Sequence, residues 1–202
     1  MKNQRPLVLA ITGASGAPYG VRLLEALLAL EQRVWLIVSA HGLRLLEAEC
    51  GIGSLEAWGS KCGERWERLV TVFDDRDRGA LPASGSVPTA GMVICPCSMG
   101  TVAAVALGTS RSLVERAADV TLKERRRLVV VPRETPLSEV HLENLLRLAR
   151  LGVQVIPAMP GFYHRPSRVD ELVDFVVARV LDHLGLEHSL GRRWSGSHRD
   201  SD

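Results

Sequence analysis

The chain has 202 residues, of which 46% are hydrophobic and 24% charged, and its formal net charge is +2. This balance is typical of a globular protein. The near-neutral charge and the 4% of aromatic residues exclude an electrostatic or base-stacking case for a nucleic-acid or membrane partner. An apolar run begins at Leu7 with no signal peptide before it, so we expect a cytoplasmic protein.

Apolar runs of strand length alternate with helix-like segments along the whole chain. The runs are 7–12, 34–38, 92–95, 128–131 and 153–156, with a lone strand in "RLVTVF" (68–73). This alternation predicts one α/β domain over residues 1–202, a three-layer Rossmann-like (flavodoxin-like) parallel sheet with helices on both faces. The polar composition of the tail, from about 190 to 202, predicts flexibility.

Local signals predict several helix ends. Thr135 is expected to cap a helix with Pro136 at its first position, and Gly152 is expected to follow its last turn. Ser167 and Asp170 resemble a capping pair for a last helix that ends at Leu184. Within residues 52–80, we expect one short helix before the lone strand at 68–73.

The segment from Leu81 to Ser110 has no charged residue and imitates a membrane span. Its prolines and glycines break any single helix, so a buried loop, strand and helix are expected instead. Cys95 and Cys97 in this segment are interpreted as packing residues, and the spacing of the four cysteines does not predict a zinc site.

Three strand-to-helix corners are glycine-rich or hydroxyl-rich. "TGASGAPYG" at 12–20 is either a plain turn or an anion site for a phosphate or flavin. Ser39 is either a helix cap or a ligand contact. "PCSMGT" at 96–101 is either an N-cap at Ser98 or a polyanion cradle that includes Thr101.

Cationic residues come from separate elements. Arg116 and Lys123 are two helical turns apart and share a face, Arg133 follows a strand, and Arg179 lies on the last helix. Such a divided set is typical of a phosphate-bearing ligand, although scattered surface arginines remain the alternative. We expect Arg133 to hold an anion and the neighbouring Glu134 to transfer a proton. Tyr163 would orient the same ligand. His164 is either a functional residue or a structural hydrogen-bonding residue that holds its corner in shape.

Four stretches resemble the UbiX-like flavin prenyltransferases: "ITGASGAPYGVRLLEAL", "PCSMGT", "RAADVTLKERRRLVVVPRETPL" and "PAMPGFYHRP". The resemblance covers the chain in order from Leu7 to about Arg179, without residues 52–80. It implies that reduced FMN accepts a dimethylallyl group from dimethylallyl monophosphate at N5 and C6, without a metal. The product, prenylated FMN, would serve UbiD-like decarboxylases, and the protein would be a homo-oligomer, a dodecamer, with sites shared between subunits.

The same resemblance implies the site residues. Those for the flavin are Gly13, Ala14, Ser15, Ser39, Ser98, Met99, Gly100, Thr101 and Arg133. Those for the prenyl phosphate are Arg116, Lys123, Tyr163, Arg179 and Trp194. Catalytic roles are implied for Ser15, Glu49, Lys123 and Glu134, whereas Glu47 has no counterpart.

Three other functions remain open from the residues. A flavoprotein cysteine decarboxylase would have a "PASANT"-like stretch and a catalytic histidine. The chain has "PCSMGT" there, and no such motif surrounds His41. The others are a flavin-binding carrier without catalysis and a nucleotide-binding domain of another function.

Overall fold

Six parallel strands form one sheet in the computed structural model, which describes residues 5–191. The strands are β1 (Leu7–Ile11), β2 (Val34–Val38), β3 (Val70–Asp74), β4 (Gly91–Cys97), β5 (Leu128–Pro132) and β6 (Gln154–Val155). The helices are α1 (Ala17–Ala29), α2 (Ala40–Cys50), α3 (Leu55–Cys62), α4 (Glu64–Leu69), α5 (Met99–Leu107), α6 (Leu113–Lys123), α7 (Glu139–Arg150) and α8 (Val169–Leu184), with a 3-10 turn at Leu81–Ala83.

Two apolar layers enclose the sheet. Alternate side chains of β1, Leu9 and Ile11, pack with α1 and α8 on one face, whereas Val8 and Ala10 pack with α5 and α6 on the other. Because both faces are covered, the central strands are continuous apolar runs. β3 lies at the edge and is only partly buried, which explains its mixed polar sequence. The predicted single-domain, three-layer α/β fold is confirmed.

The strand order is β3-β2-β1-β4-β5-β6. β1 connects outward to β2 through α1, and β4 connects outward in the other direction to β5 through α5 and α6. The order therefore reverses between β1 and β4, which are hydrogen-bonded neighbours. In open α/β sheets, ligands bind at such a switch point, beyond the carboxyl ends of the strands.

Two predicted helix starts were wrong. Ser138, not Thr135, caps α7, because its hydroxyl accepts from the backbone N–H of His141 and the His141 ring accepts in return from Ser138 N–H. Arg168 occupies the cap position of α8, and the backbone N–H of Ser167 donates instead to the Glu171 carboxylate at 2.9 Å. Residues 52–80 form two short helices rather than one, since Gly63, with a φ of 61°, separates α3 from α4.

The uncharged segment 81–110 contains β4 and α5 in the middle of the molecule. No helix within residues 5–191 is long and apolar enough to cross a membrane. Cys95 and Cys97 are fully buried in β4, and burial raises the pKa of both thiols. Their interpretation as packing residues is supported.

Candidate active site

Thr12 directly follows β1 at the switch point between β1 and β4, where a ligand crevice is expected. The backbone N–H and the hydroxyl of Thr12 both donate to the carbonyl of Pro96, each at 3.1 Å. The Thr12 hydroxyl also accepts from the backbone N–H of Ser98 at 2.9 Å. Thr12 thus joins the corner after β1 to the corner after β4. This role was not predicted from the sequence. A signal was available, because Thr12 is a polar residue that ends an apolar strand and precedes a glycine.

The corner after β1, residues 12–16 (the first corner), brings the backbone close to a neighbouring helix. A Cβ on Gly13 would lie 2.5 Å from Cβ of His41, at the start of α2. Gly16 has a φ of 116°, which favours glycine, and it ends the corner at the cap position of α1. Between these glycines Ala14 is buried and Ser15 is exposed. The corner therefore presents the Ser15 side chain at the edge of the crevice.

Glu49, in the last turn of α2, reaches this first corner. Its Oε2 accepts from the backbone N–H groups of Gly16 and Ala17, both at 2.8 Å. These amides belong to the N-terminal end of α1, where the helix dipole favours a negative charge. Partial burial opposes the charge of this carboxylate. However, the hydrogen bonds to it and the positive charge of Arg133 outweigh burial and lower the pKa of Glu49. Glu49 is therefore an ionised carboxylate at neutral pH.

Arg133 connects the corner after β5 to the first corner, which follows β1. Its Nε donates to the carbonyl oxygen of Ser15 at 2.8 Å. Glu134 follows it, and its Oε1 accepts from the backbone N–H of Thr135 at 3.0 Å. A hydroxyl, a carboxylate and a guanidinium thus meet beyond the ends of β1 and β5, although Ser15 and Arg133 are 118 positions apart.

The corner after β4 has the geometry expected of a polyanion cradle, with two hydroxyl groups at the N-terminus of a helix. The Ser98 hydroxyl accepts from the backbone N–H of Thr101 at 3.2 Å and lies 3.0 Å from the Thr101 hydroxyl. Ser98 is therefore the N-cap of α5, while the first amides of this helix lack intrahelical partners and point toward the crevice end. Met99 is buried and Gly100 exposed. Similarly, Ser39 caps α2, its hydroxyl accepting from Gly42 N–H at 3.1 Å.

Gly100 has no steric reason to be glycine within the chain. The nearest atom to a Cβ placed there is Oγ of Ser98, at 4.0 Å. By contrast, a Cβ on Gly42 would lie 2.5 Å from the carbonyl oxygen of Ile11, where α2 packs on β1. Space beside Gly100 at a helix N-terminus fits a ligand that approaches the backbone closely, as a flavin mononucleotide would.

These two glycines give a matched prediction. We expect Gly100→Ala to leave the free energy of unfolding unchanged or raise it by up to about 1 kcal/mol, while FMN affinity falls about tenfold. Gly42→Ala is expected to lower stability by about 1–3 kcal/mol because α2 must move away from β1. Thermal unfolding without FMN and fluorescence titration with FMN measure both effects. Full FMN affinity in the Gly100 variant would contradict the assignment.

Tyr163 and Arg179 line a second feature, a cavity of about 850 Å³ between α8, the corner after β6 and residues 188–191. The rings of Tyr163 and His164 pack on Phe175 of α8, each with centroids 5.8 Å apart. Nδ1 of His164 is buried without a hydrogen-bond partner. The stacking on Phe175 fits the structural alternative for His164.

Lys123 is kept away from the crevice within one chain, and both Lys123 and Arg116 are engaged in ion pairs. Arg116 pairs with Asp119 at 2.8 Å on α6. Lys123 pairs with Glu124 at the other end of that helix, beside Gly85. The chain then enters β5. The five residues of this strand separate the C-terminal end of α6, which carries Lys123, from Arg133 by about 16 Å. Trp194 lies outside the described residues. Among residues 5–191, no group of three or more His, Cys, Asp or Glu has metal-binding geometry.

A doubly wound sheet with polar corners and helix N-termini at its switch point defines a mononucleotide-binding α/β protein. The family model described as Flavoprotein matches residues 1–181. The flavin prenyltransferase UbiX of Pseudomonas aeruginosa is 46% identical over 209 residues, with 100% of both chains covered. The chain therefore belongs to the flavoprotein family and, within it, to the UbiX-like flavin prenyltransferases.

Other relatives support this placement. A probable UbiX-like flavin prenyltransferase of Streptomyces sp. is 50% identical over 192 residues, covering 94% of this chain and 92% of its own. The structure of AnUbiX (PadA1), in complex with FMN and dimethylallyl pyrophosphate, has a TM-score of 0.88 at 38% identity, covering 97% and 100%. A dodecameric FMN-dependent UbiX-like decarboxylase from Escherichia coli O157:H7 has a TM-score of 0.86 at 44% identity, covering 95% and 100%.

Proposed function

We propose that the protein joins the dimethylallyl group of dimethylallyl monophosphate to N5 and C6 of reduced FMN, producing prenylated FMN for a UbiD-like decarboxylase. The observation that carries this proposal is the meeting of Ser15, Glu49 and Arg133 at the switch point. It occurs in a chain 46% identical to a flavin prenyltransferase over its full length. The reaction requires a site for a flavin, a proton acceptor and cations for a leaving phosphate.

The flavin would occupy the crevice. Reduced FMN supplies the ring atoms N5 and C6 that form the new bonds. The free amides at the start of α5 and the hydroxyls of Ser98 and Thr101 fit a polyanionic group. Ser39, Met99 and Gly100 would complete the pocket around it, and Gly13 and Ala14 the side toward β1. Arg133 would bind an oxygen of the flavin with the guanidinium nitrogens other than Nε.

Glu49 is the proposed general base. Its ionised carboxylate lies at the first corner beside Ser15, where a proton leaving the flavin ring can be accepted. Ser15 would position the reacting edge of the ring, because its side chain is exposed at the crevice. Glu134, which directly follows Arg133, would move a second proton.

Cleavage of the allylic C–O bond places negative charge on the leaving phosphate. Cations that contact this phosphate more strongly as it leaves lower the barrier without a metal. Arg179 and Tyr163 share one cavity and would bind it together. The cavity walls are partly apolar at Phe175, which suits a five-carbon chain, and Trp194 is proposed to add an aromatic wall.

Arg116 and Lys123 would act in the site of a neighbouring subunit. Within one chain, the length of β5 separates Lys123 from Arg133. A homododecamer would bring them together, and the exposed apolar side chains of α7 (Val140, Leu142 and Leu146) offer surface for such assembly. The proposed location is the cytoplasm, where the free cysteines of the chain stay reduced.

Subunit mixing tests the shared site. We expect Glu49→Gln and Lys123→Ala homo-oligomers to be almost inactive. Co-expressed hetero-oligomers should recover about one quarter of the wild-type rate, the statistical share of sites that receive both unaltered residues. Single-turnover formation of prenylated FMN measures the recovery. No recovery in hetero-oligomers of verified composition would show that both residues serve the site of their own chain.

Mass spectrometry of the flavin tests the proposed reaction directly. Purified protein is mixed with reduced FMN and dimethylallyl monophosphate without oxygen, and the flavin should gain one C5 unit. An unchanged flavin, with both ligands shown to bind, would remove the proposal. Carbon dioxide released from a cysteine-containing peptide would indicate a cysteine decarboxylase instead. Dimethylallyl pyrophosphate in a parallel reaction establishes which donor is preferred.

A further inference from the structure

The chain turns back along α8 after that helix ends. Gly185 ends the helix with a φ of 73°, and residues 186–191 then run alongside it. Leu186 and Leu190 pack on the core beneath α8. At Gly191 the segment has reached Ala178, since a Cβ on that glycine would lie 3.5 Å from Cβ of Ala178. This return segment (residues 186–191) therefore lies beside the helical turn that carries Arg179.

A chain of hydrogen bonds links the return segment to Arg179. Nη1 of Arg179 donates to Oδ2 of Asp182 at 2.9 Å. Oδ1 of the same carboxylate lies 3.2 Å from Nε2 of His188. Nδ1 of His188 in turn accepts from the backbone N–H of Leu190 at 3.1 Å. One carboxylate thus connects the guanidinium to the imidazole, and the imidazole to the backbone.

The geometry determines the tautomer of His188. A backbone N–H can only donate, so Nδ1 must be the acceptor and the ring proton of neutral histidine must lie on Nε2. Nε2–H then donates to Asp182. The His188 side chain is only 4% exposed, whereas the Arg179 side chain is 51% exposed. A buried, directionally bonded ring therefore orients a carboxylate that orients an exposed cation.

We propose that His188 is a positioning residue for the prenyl-phosphate site, acting on Arg179 through Asp182; this rests on the proposed function. Arg179 has five N–H donors, of which Asp182 engages one on Nη1 while Nη2 lies 3.5 Å from Nε2 of His183, and the remaining donors are left for a phosphate. Without the bond from His188, the carboxylate can rotate more widely and the guanidinium loses its fixed direction. Less of the phosphate binding energy is then available, because part of it must order the side chain.

Purely structural packing makes a different prediction. If the ring only filled space beside α8, its loss would lower stability and would affect flavin and donor alike. If it positions Arg179, its loss should raise the KM for the donor and leave FMN affinity unchanged.

Two amide substitutions separate these cases. In His188→Gln, the side-chain amide nitrogen takes the place of the ring Nε2 and can donate to Asp182. In His188→Asn, the shorter amide reaches only the position of the ring Nδ1, so it keeps the bond to Leu190 and loses the bond to Asp182. Both variants remove the ring, and only one of them removes the link to the carboxylate.

We therefore compare His188→Gln with His188→Asn, each in the wild-type and in the Arg179→Ala background. For prenyl transfer to reduced FMN, His188→Asn is expected to raise the KM for dimethylallyl monophosphate about tenfold. Its kcat should fall as well, because the misdirected guanidinium also stabilises the leaving phosphate less, whereas its Kd for FMN should stay within about twofold of wild type. His188→Gln should keep the KM within about threefold. In the Arg179→Ala background, His188→Asn should add no further change, because its effect acts through that guanidinium.

Three results would overturn the inference. They are an unchanged KM in His188→Asn, an equal rise in both amide variants, and a full additional rise when Arg179 is already alanine. If the Asn variant does not fold, Asp182→Asn replaces it and must show the same rise in KM and the same dependence on Arg179. If wild-type enzyme prenylates no FMN, the proposed function falls and this inference with it; if wild type is active, only the inference is at stake.

Discussion

Glu49→Gln is expected to lower the rate of prenyl transfer by about 10²–10⁴, the usual contribution of a general base. FMN binding should change little, because the amide oxygen still accepts from the N–H groups of Gly16 and Ala17. Glu47→Gln is the matched control. It lies two positions earlier on α2, is exposed, and should keep the wild-type rate. A Glu49 variant with full activity would remove this residue from the chemistry.

The pH dependence follows from the direction of the pKa shift. The pKa of Glu49 is lowered by the hydrogen bonds and the Arg133 charge, against the opposing effect of partial burial. A lowered folded pKa contributes stability that is present above the unfolded value of about 4.3 and is lost as pH falls through the folded value. Urea unfolding at pH 7 and in the acid range should therefore show a weaker pH dependence in Glu49→Gln than in wild type. A parallel dependence in both proteins would contradict the assigned shift.

Arg179→Ala is expected to lower kcat/KM for dimethylallyl monophosphate by about 10²–10³, because a charged donor to the leaving phosphate is lost. The Kd for FMN should stay within about twofold, since Arg179 lines the cavity beside α8 and the flavin corners follow β1, β4 and β5. Arg44→Ala, an exposed change of the same charge on α2, serves as control. Steady-state kinetics and flavin titration measure the two effects, and equal losses in both would contradict the separation of the two subsites.

Much of the fold could be predicted from local patterns. A parallel strand covered on both faces must be apolar at every position, so β1, β2, β4 and β5 were visible as continuous runs. The corners were visible too, because a strand that ends at a switch point needs small or polar residues there. The start of α7 was not, since Thr135 and Ser138 are both plausible caps. The reciprocal bond from His141 selects Ser138.

The site divides in the same way. Ser98 and Arg133 directly follow strands and Ser15 lies in the corner after β1, so their presence at one edge of the sheet could be inferred from chain position. Glu49 could not, because it lies at the far end of α2 and meets the first corner only through packing of that helix on β1. The hydrogen-bonding roles of Thr12 and His188 were likewise not predicted, since their partners lie 84 and 6 positions away and the contacts depend on how chain segments fold together.

The sequence alone determined the layers, the edge of the sheet that carries the chemistry and the family to which the chain belongs, because hydrophobic periodicity and corner residues are local properties. Only the tertiary structure decided which charges meet. It joined Glu49 to the amides of α1, linked Arg179 to His188 through Asp182, and kept Lys123 a strand length away from Arg133. Electrostatic and hydrogen-bond contacts act over a few ångströms, and those distances are set by packing between segments that are remote along the chain.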